Sequence, residues 1–329
     1  MATSLPCSMR VVGTGALGAY YGWRLHCAGC RVVCVCRSNY AVVKQAGFQI
    51  DSCCYGEHTF KPWQVTDSVE NAATLVPDGY DYVIVCTKAL PEVASTADVI
   101  APAMKHRRTA AVLIQNGIGI EEPVAARFPH NPCISAVAYI GVTQIATGVI
   151  RQVLKASILL GVYNRADQPV QTSASDVAQL AELFGAGGIG ADTSDDIQPV
   201  RWNKLIWNAG FGLPSVLTRL HDTQSMLGDA TCRELIEAIM QEIWDTALKL
   251  FGPARFPVKR PPCTIDGHIS MTEKVPAYKP SIYVDYEAGR PMELEVIVGN
   301  TIREARRHQL DMPRLETLYK LARIASHRP

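Results

Sequence analysis

"VVGTGALGAYYG", residues 11–22, decides how the fold is read. Its glycines, Gly13, Gly15 and Gly18, spell G-x-G-x-x-G between a stretch that reads as a strand, Cys7–Val12, and a helix-forming stretch, Ala16–Ala28. A second strand-like stretch, Arg31–Cys36, follows, so strand, turn, helix and strand fall within the roughly 30 residues of one βαβ unit. Each glycine then has a physical task. Gly13 permits the sharp turn, Gly15 lets the backbone approach a pyrophosphate, and Gly18 lets the helix pack closely on the strand. The helix start, at Thr14, Ala16 and Leu17, offers N–H groups and a partial positive charge to phosphate oxygens. The plainer alternative is a βα turn that binds nothing.

Outward from this stretch the pattern repeats. YVIVC (residues 82–86) and AAVLI (110–114) are continuous apolar runs of the kind a parallel sheet buries on both faces. Alternating strand and helix predicts a doubly wound α/β sheet at the N-terminal end. Residues 133–162, rich in Val and Ile with less helix between, are expected to complete it. After the Gly- and Asp-rich segment 183–196 the periodicity becomes helical. Asp229 is a plausible N-cap for a helix whose stripe is Leu235, Ile236, Ile239, Met240, Ile243, Trp244, Ala247 and Leu248, ended by Gly252 and Pro253. FPVKRPPC (256–263) reads as a loop. The expected organisation is an α/β domain over residues 1–195 and an all-helical domain over 196–329.

Composition narrows the function. The chain has 329 residues, 48% hydrophobic and 19% charged, with a net charge of +1. That balance carries no electrostatic footprint for nucleic acid or a membrane surface. No apolar run approaches the roughly 20 residues that span a bilayer. MATSLPCSMR lacks the apolar core of a signal peptide, and the C-terminal HRP is no peroxisomal address. A cytoplasmic protein with a small-molecule partner is expected. The eleven cysteines include Cys27-x-x-Cys30 and Cys34-x-Cys36. The first pair straddles a helix end and the second lies along a strand, so core thiols are expected rather than a metal site.

The end of the second strand bears on the cofactor. An NAD site carries an acidic residue about 20 positions after the glycines. Here CVCRSN stands there, with no Asp or Glu before Asp51. Arg37, with Ser38 and Asn39, suits the 2′-phosphate of NADP, although an ordinary surface arginine would look the same. Lys88 follows YVIVC at the sheet edge where ligands of such folds bind. Asn116, in IQNGIG, ends the next strand and is either aimed into the crevice or merely a turn asparagine. In RWNKLIWNAGFG (201–212), Lys204 and Asn208 share a helix face. A lysine desolvated beside Trp and Ile has a lowered pKa and can protonate a carbonyl oxygen as hydride arrives. Alone, K-x-x-x-N is commonplace. In KPSIYVDYEAGRPMELE (279–295), Ser281 and Asp285 are four apart, and Pro291 suits the first turn of a helix opened by Glu293 and Glu295. Those glutamates would also simply complement the helix dipole.

The ordered set resembles the ketopantoate reductase family over nearly the whole chain: the glycine loop, Asn116, the Lys204–Asn208 helix, and the pattern Ser281, Asp285, Glu293, Gly299. The resemblance implies a Rossmann-type domain joined to a helical one, an active site between them, and NADPH-dependent reduction of a branched 2-oxo acid. It implies that Gly13, Gly15 and Gly18 hold the pyrophosphate and that Arg37 and Lys88 contact NADPH phosphates. By the same likeness Asn116 positions nicotinamide and substrate, Lys204 is the general acid, Asn208 and Ser281 hold polar groups of the substrate, and Glu293 fixes its hydroxyl side. Gly212 stands where members often have a second asparagine, and Tyr139 where they have a smaller or more polar residue. Both departures bear on the substrate side, so another 2-oxo acid or ketone is an alternative to ketopantoate. A non-catalytic NADP-sensing protein is a third reading. A helical second domain offers surface for a homodimer.

Overall fold

The computed structural model describes residues 7–165, 173–259 and 262–326. The N-terminal and C-terminal residues on which the expectations about a leader and an address partly rest lie outside these, as do Arg260 and Pro261 of the loop FPVKRPPC. Two compact units emerge: residues 1–88, 94–115 and 120–197, and residues 89–93, 116–119 and 198–329.

The first unit is built on a ten-stranded sheet. Its strands are β1 (Ser8–Val12), β2 (Arg31–Val35), β3 (Phe48–Ser52), β4 (Gly56–Phe60), β5 (Gln64–Thr66), β6 (Tyr82–Val85), β7 (Ala110–Leu113), β8 (Cys133–Ala146), β9 (Val149–Val162) and β10 (Gly190–Ser194). The order β5-β2-β1-β6-β7-β8 is parallel throughout. Beyond it the sheet is mixed. β9 returns antiparallel to β8, and its far edge is shared by β3 near its start and β10 near its end. β4 closes that side antiparallel to β3. The Gly/Asp-rich segment after residue 183 thus contributes a strand rather than only a connection. β1, β6 and β7 are buried along their whole length; for β6 and β7 the unbroken apolar sequence requires it, whereas β1 also buries Arg10, whose guanidinium lies over the Tyr80 ring. The helices of this unit are α1 (Ala16–Cys27), α2 (Tyr40–Ala46), α3 (Val69–Ala73), α4 (Thr96–Ile100), α5 (Glu122–Arg127) and α6 (Ala174–Ala186). α1 and α6 cover one sheet face with Tyr20, Tyr21, Leu25, Leu180 and Phe184 against Met9, Val11, Val32 and Ile84. Cys30 and Cys34 sit in the same apolar core, and Cys27 is exposed.

The second unit is helical: α7 (Ile197–Thr218), α8 (Thr223–Gly228), α9 (Ala230–Phe251), α10 (Ile265–Glu273), α11 (Ser281–Glu287), α12 (Asn300–Arg307) and α13 (Pro313–Ser326). The Asp229 carboxylate accepts from Cys232 N at 2.8 Å and caps α9. Ile236, Ile239, Met240, Ile243 and Ala247 of its stripe are fully buried. A Cβ at Gly210 would lie 2.8 Å from Met240 Cγ, so that glycine lets α7 and α9 cross closely. A wide π turn, Glu295–Gly299, leads into α12. Pro291 precedes this helix instead of sitting in its first turn, because helical backbone starts only at Leu294. No helix among the described residues is long and apolar enough to cross a membrane.

Candidate active site

The strand order reverses about β1: its partners are β2 on one side and β6 on the other. Ligands of doubly wound sheets bind beyond the carboxyl ends of the strands at such a switch point. The glycine loop leaves β1 there. Gly13 has φ +87°, and a Cβ on it would lie 2.4 Å from Thr87 N, just past β6. A Cβ at Gly18 would lie 2.4 Å from Gly13 O. Both glycines are therefore required by the fold itself. Gly15 differs: nothing lies within 4 Å of its Cβ position. It precedes α1, whose first turn has no acidic residue and no side-chain cap. The opening N–H groups, from Ala16 onward, lack intrahelical acceptors. Open space, uncapped donors and a helix dipole fit a pyrophosphate.

The loop is held from behind. Thr14 Oγ1 donates to Val35 O at 2.8 Å and lies 3.0 Å from Cys36 Sγ. Asn39 Nδ2 donates to Thr14 O at 2.8 Å. That bond corrects one expectation. Asn39 is buried and braces the loop, leaving Arg37 and Ser38 as the exposed groups after β2. Arg37 forms no ion pair with a described residue. Lys88 is exposed beyond β6.

The second cluster lies wholly in the second unit, although two of its segments fall within the first 195 residues. Residues 116–119 turn sharply, with φ +85° at Gly117 and +68° at Gly119. Ile118 N donates to Val296 O at 2.9 Å, and Asn300 Nδ2 donates to Ile118 O at 2.7 Å. A Cβ at Gly117 would lie 2.3 Å from Val296 O, so only glycine lets the turn approach the π segment. These bonds remove Asn116–Gly119 from the α/β body in which the sequence had placed them. Lys204 Nζ then donates to Asn116 Oδ1 at 2.7 Å. Glu293 is buried, and its Oε1 accepts from Ala89 N at 2.9 Å, which ties in the segment 89–93.

Lys204 is half-buried as a residue, yet burial is the largest influence on its amine. Burial, reinforced by the Arg201 guanidinium and opposed by the Glu293 carboxylate, brings its pKa down to about 7. An amine so poised can both hold and release a proton near neutrality.

Other expected site residues fall elsewhere. Asn208 is half-buried one turn after Lys204 and has no hydrogen bond to a described residue, so its amide is available. Ser281 is exposed at the first position of α11 and makes no hydrogen bond to Lys204, Asn116 or Glu293. Asp285 is buried against Arg290, Nε to Oδ1 3.1 Å, a pairing that ties the end of α11. Gly212 is buried under Ile282, whose Cδ1 would lie 2.7 Å from a Cβ there. Tyr139 is half-buried on β8 opposite Ser157. Glu295 belongs to a different network, with Tyr319 and Arg303. Sequence reasoning missed Arg201, whose Nη1 donates to Gly117 O at 3.1 Å. Its place three residues before Lys204, on the same helix face, was the available signal.

A family model described as ketopantoate reductase PanE/ApbA matches residues 9–165, and its C-terminal companion matches 196–326. The 2-dehydropantoate 2-reductase of Nostoc sp. is 29% identical over 314 residues, covering 94% of this chain and 92% of the relative. The crystal structure of 2-dehydropantoate 2-reductase from Methylococcus capsulatus superposes with a TM-score of 0.83 at 37% identity, covering 98% of each chain. The corresponding structure from Geobacter metallireducens has a TM-score of 0.83 at 26% identity, covering 97% of this chain and 99% of the other.

Proposed function

Since the chain belongs to the ketopantoate reductase family of oxidoreductases, we propose that it reduces a 2-oxo acid to the 2-hydroxy acid with NADPH. The observation that carries this reading is the Lys204 amine, depressed to about 7 and hydrogen-bonded to Asn116 at 2.7 Å. When bound, the reduced nicotinamide supplies a hydride to the carbonyl carbon. The charge that builds on the oxygen needs a proton and a nearby cation, and Lys204 provides both. Asn116 fixes the amine, and Glu293 keeps enough negative charge near it to retain the proton until transfer. The unpaired amide of Asn208, one turn along, holds a polar group of the substrate, and Ser281 is kept as a second, weaker candidate for that task. Gly13, Gly15 and Gly18 with the first N–H groups of α1 hold the pyrophosphate. Arg37, with no acidic residue beside it, favours the 2′-phosphate of NADPH, and Lys88 adds a second phosphate contact.

For the substrate, ketopantoate is the first reading. The apolar contact at Gly212 favours a second one, an acid with a more apolar side chain, because Ile282 fills the space an amide would occupy. The test is NADPH oxidation with ketopantoate, 2-ketoisovalerate, 2-ketoisocaproate and an aryl 2-oxo acid. Preference for ketopantoate supports the first reading and preference for an apolar acid the second. Silence across all four with tight NADPH binding would overturn both in favour of an unrelated ketone as substrate or of a cofactor-sensing protein.

A further inference from the structure

We propose that Arg201 is a positioning residue of the reduction, holding the Asn116 turn and the Lys204 amine in register. The inference rests on Lys204 being the proton donor. Arg201 is 4% exposed, and its Nη1 donates to Gly117 O at 3.1 Å. Gly117 is the next residue after Asn116, whose Oδ1 accepts from Lys204. A closed ring results: Arg201 to the turn, the turn to Asn116, Asn116 to Lys204, and Lys204 back to Arg201 through one turn of α7. No member can rotate away without breaking a bond inside the protein.

The ring also sets two cations on one helix face, an arrangement that costs stability in the absence of a compensating role. Of the two, Lys204 is the group that yields: the Arg201 guanidinium is among the causes that lower its pKa. Arg201 acts from its own helix and loosens the proton, while Glu293, just before the π turn, tightens it. The Asn116 turn contributes only a neutral amide. Arg201 thus supplies geometry together with a charge that adds to burial, the larger influence, in loosening the proton of the amine.

A merely structural arginine would lower the rate without moving its pH dependence. Three variants separate the cases, read by kcat/KM against pH with NADPH and the best acid of the panel, each checked for a cooperative melt. Arg201→Gln keeps a donor for Gly117 O and removes the charge. Its alkaline limb should move up by roughly one pH unit, the lower end of what a neighbouring charge does at a buried site. Arg201→Lys keeps the charge, so its limb should stay with the wild type while the rate falls. Arg201→Met is a second neutral variant should Arg201→Gln fail to fold. A neutral variant whose limb coincides with that of the wild type overturns the proposal, as does an Arg201→Lys limb displaced as far as the neutral one. Lys204→Ala separates this failure from that of the underlying reading. Full activity there removes the donor itself, whereas an inactive Lys204→Ala with unmoved Arg201 limbs removes only the role of Arg201.

Discussion

Replacing Gly15 by alanine tests phosphate binding with the fold held constant. The added methyl meets no atom within 4 Å, and the residue's φ of −74° is ordinary for any L-residue. Two small opposing effects act on stability. A methyl restricts the unfolded chain, favouring the fold by ~0.4–1 kcal/mol. Alanine is a poorer N-cap than glycine by about 0.5 kcal/mol. The net is close to zero, and Tm should stay within about 2 °C of the wild type. Cofactor affinity should respond very differently, because under the proposed assignment the methyl stands where the backbone approaches the pyrophosphate. Losing one or two charge-assisted hydrogen bonds at ~1.5–3 kcal/mol each weakens Kd for NADPH by roughly 10-fold, for one bond at the low end, to about 10,000-fold, for two at the high end. Gly13→Ala gives the contrast. There φ is +87° and the new Cβ would lie 2.4 Å from Thr87 N, so folding itself should suffer by ~2 kcal/mol or more. Titrating NADPH by fluorescence alongside thermal melts reads both quantities on the same samples. A Gly15→Ala protein with wild-type Kd would refute the assignment of the phosphates to this loop.

Lys204→Ala should lower kcat at least 100-fold while NADPH still binds, as loss of a positioned proton donor does. In the wild type the reduction rate should decline as pH rises through about 7, because the lowered pKa leaves the amine protonated below that point and neutral above it. A flat profile across that range, measured with saturating cofactor, would count against the lysine. Arg37→Ala should raise Kd for NADPH while leaving NADH nearly unchanged; equal loss for both nucleotides would leave the 2′-phosphate without its partner. Gly212→Asn should lower Tm by overpacking against Ile282, a cost of ~1–3 kcal/mol. Ile282→Ala in the same chain should recover part of that loss, and strict additivity of the two changes in melting would show that the side chains do not meet.

The glycine loop was legible because its constraints are local. A turn, a strand and a helix lie within one short unit, and Gly18 answers to Gly13 O inside it; the atom that faces Gly13, Thr87 N, arrives only from beyond β6. The buried apolar runs of β6 and β7 were legible for the same reason. What escaped was non-local pairing. The mixed edge of the sheet depends on β9 accepting β3 and β10, which lie on opposite sides of it in sequence. Asn39 reads as an exposed donor until the carbonyl of Thr14 is placed beside it. The lysine cluster shows the same limit. Lys204 and Asn208 follow from helix spacing, but the hold of Glu293 on Ala89 N spans 204 residues and leaves no periodic trace.

Asn116–Gly119 and Ala89–Val93 belong to the helical unit although both are interruptions of the α/β sequence. The lysine helix is therefore not an independently heritable cassette. A swap of the chain from residue 196 onward between two relatives would carry Lys204, Arg201 and Glu293 but leave behind the turn that binds the first two and the amide that binds the third. A parent whose turn or amide took a different course would orphan buried groups at ~1–3 kcal/mol each. Two of the three bonds reach main-chain groups, so recombination across this boundary asks that the parents share Asn116 and the backbone course of those two short insertions.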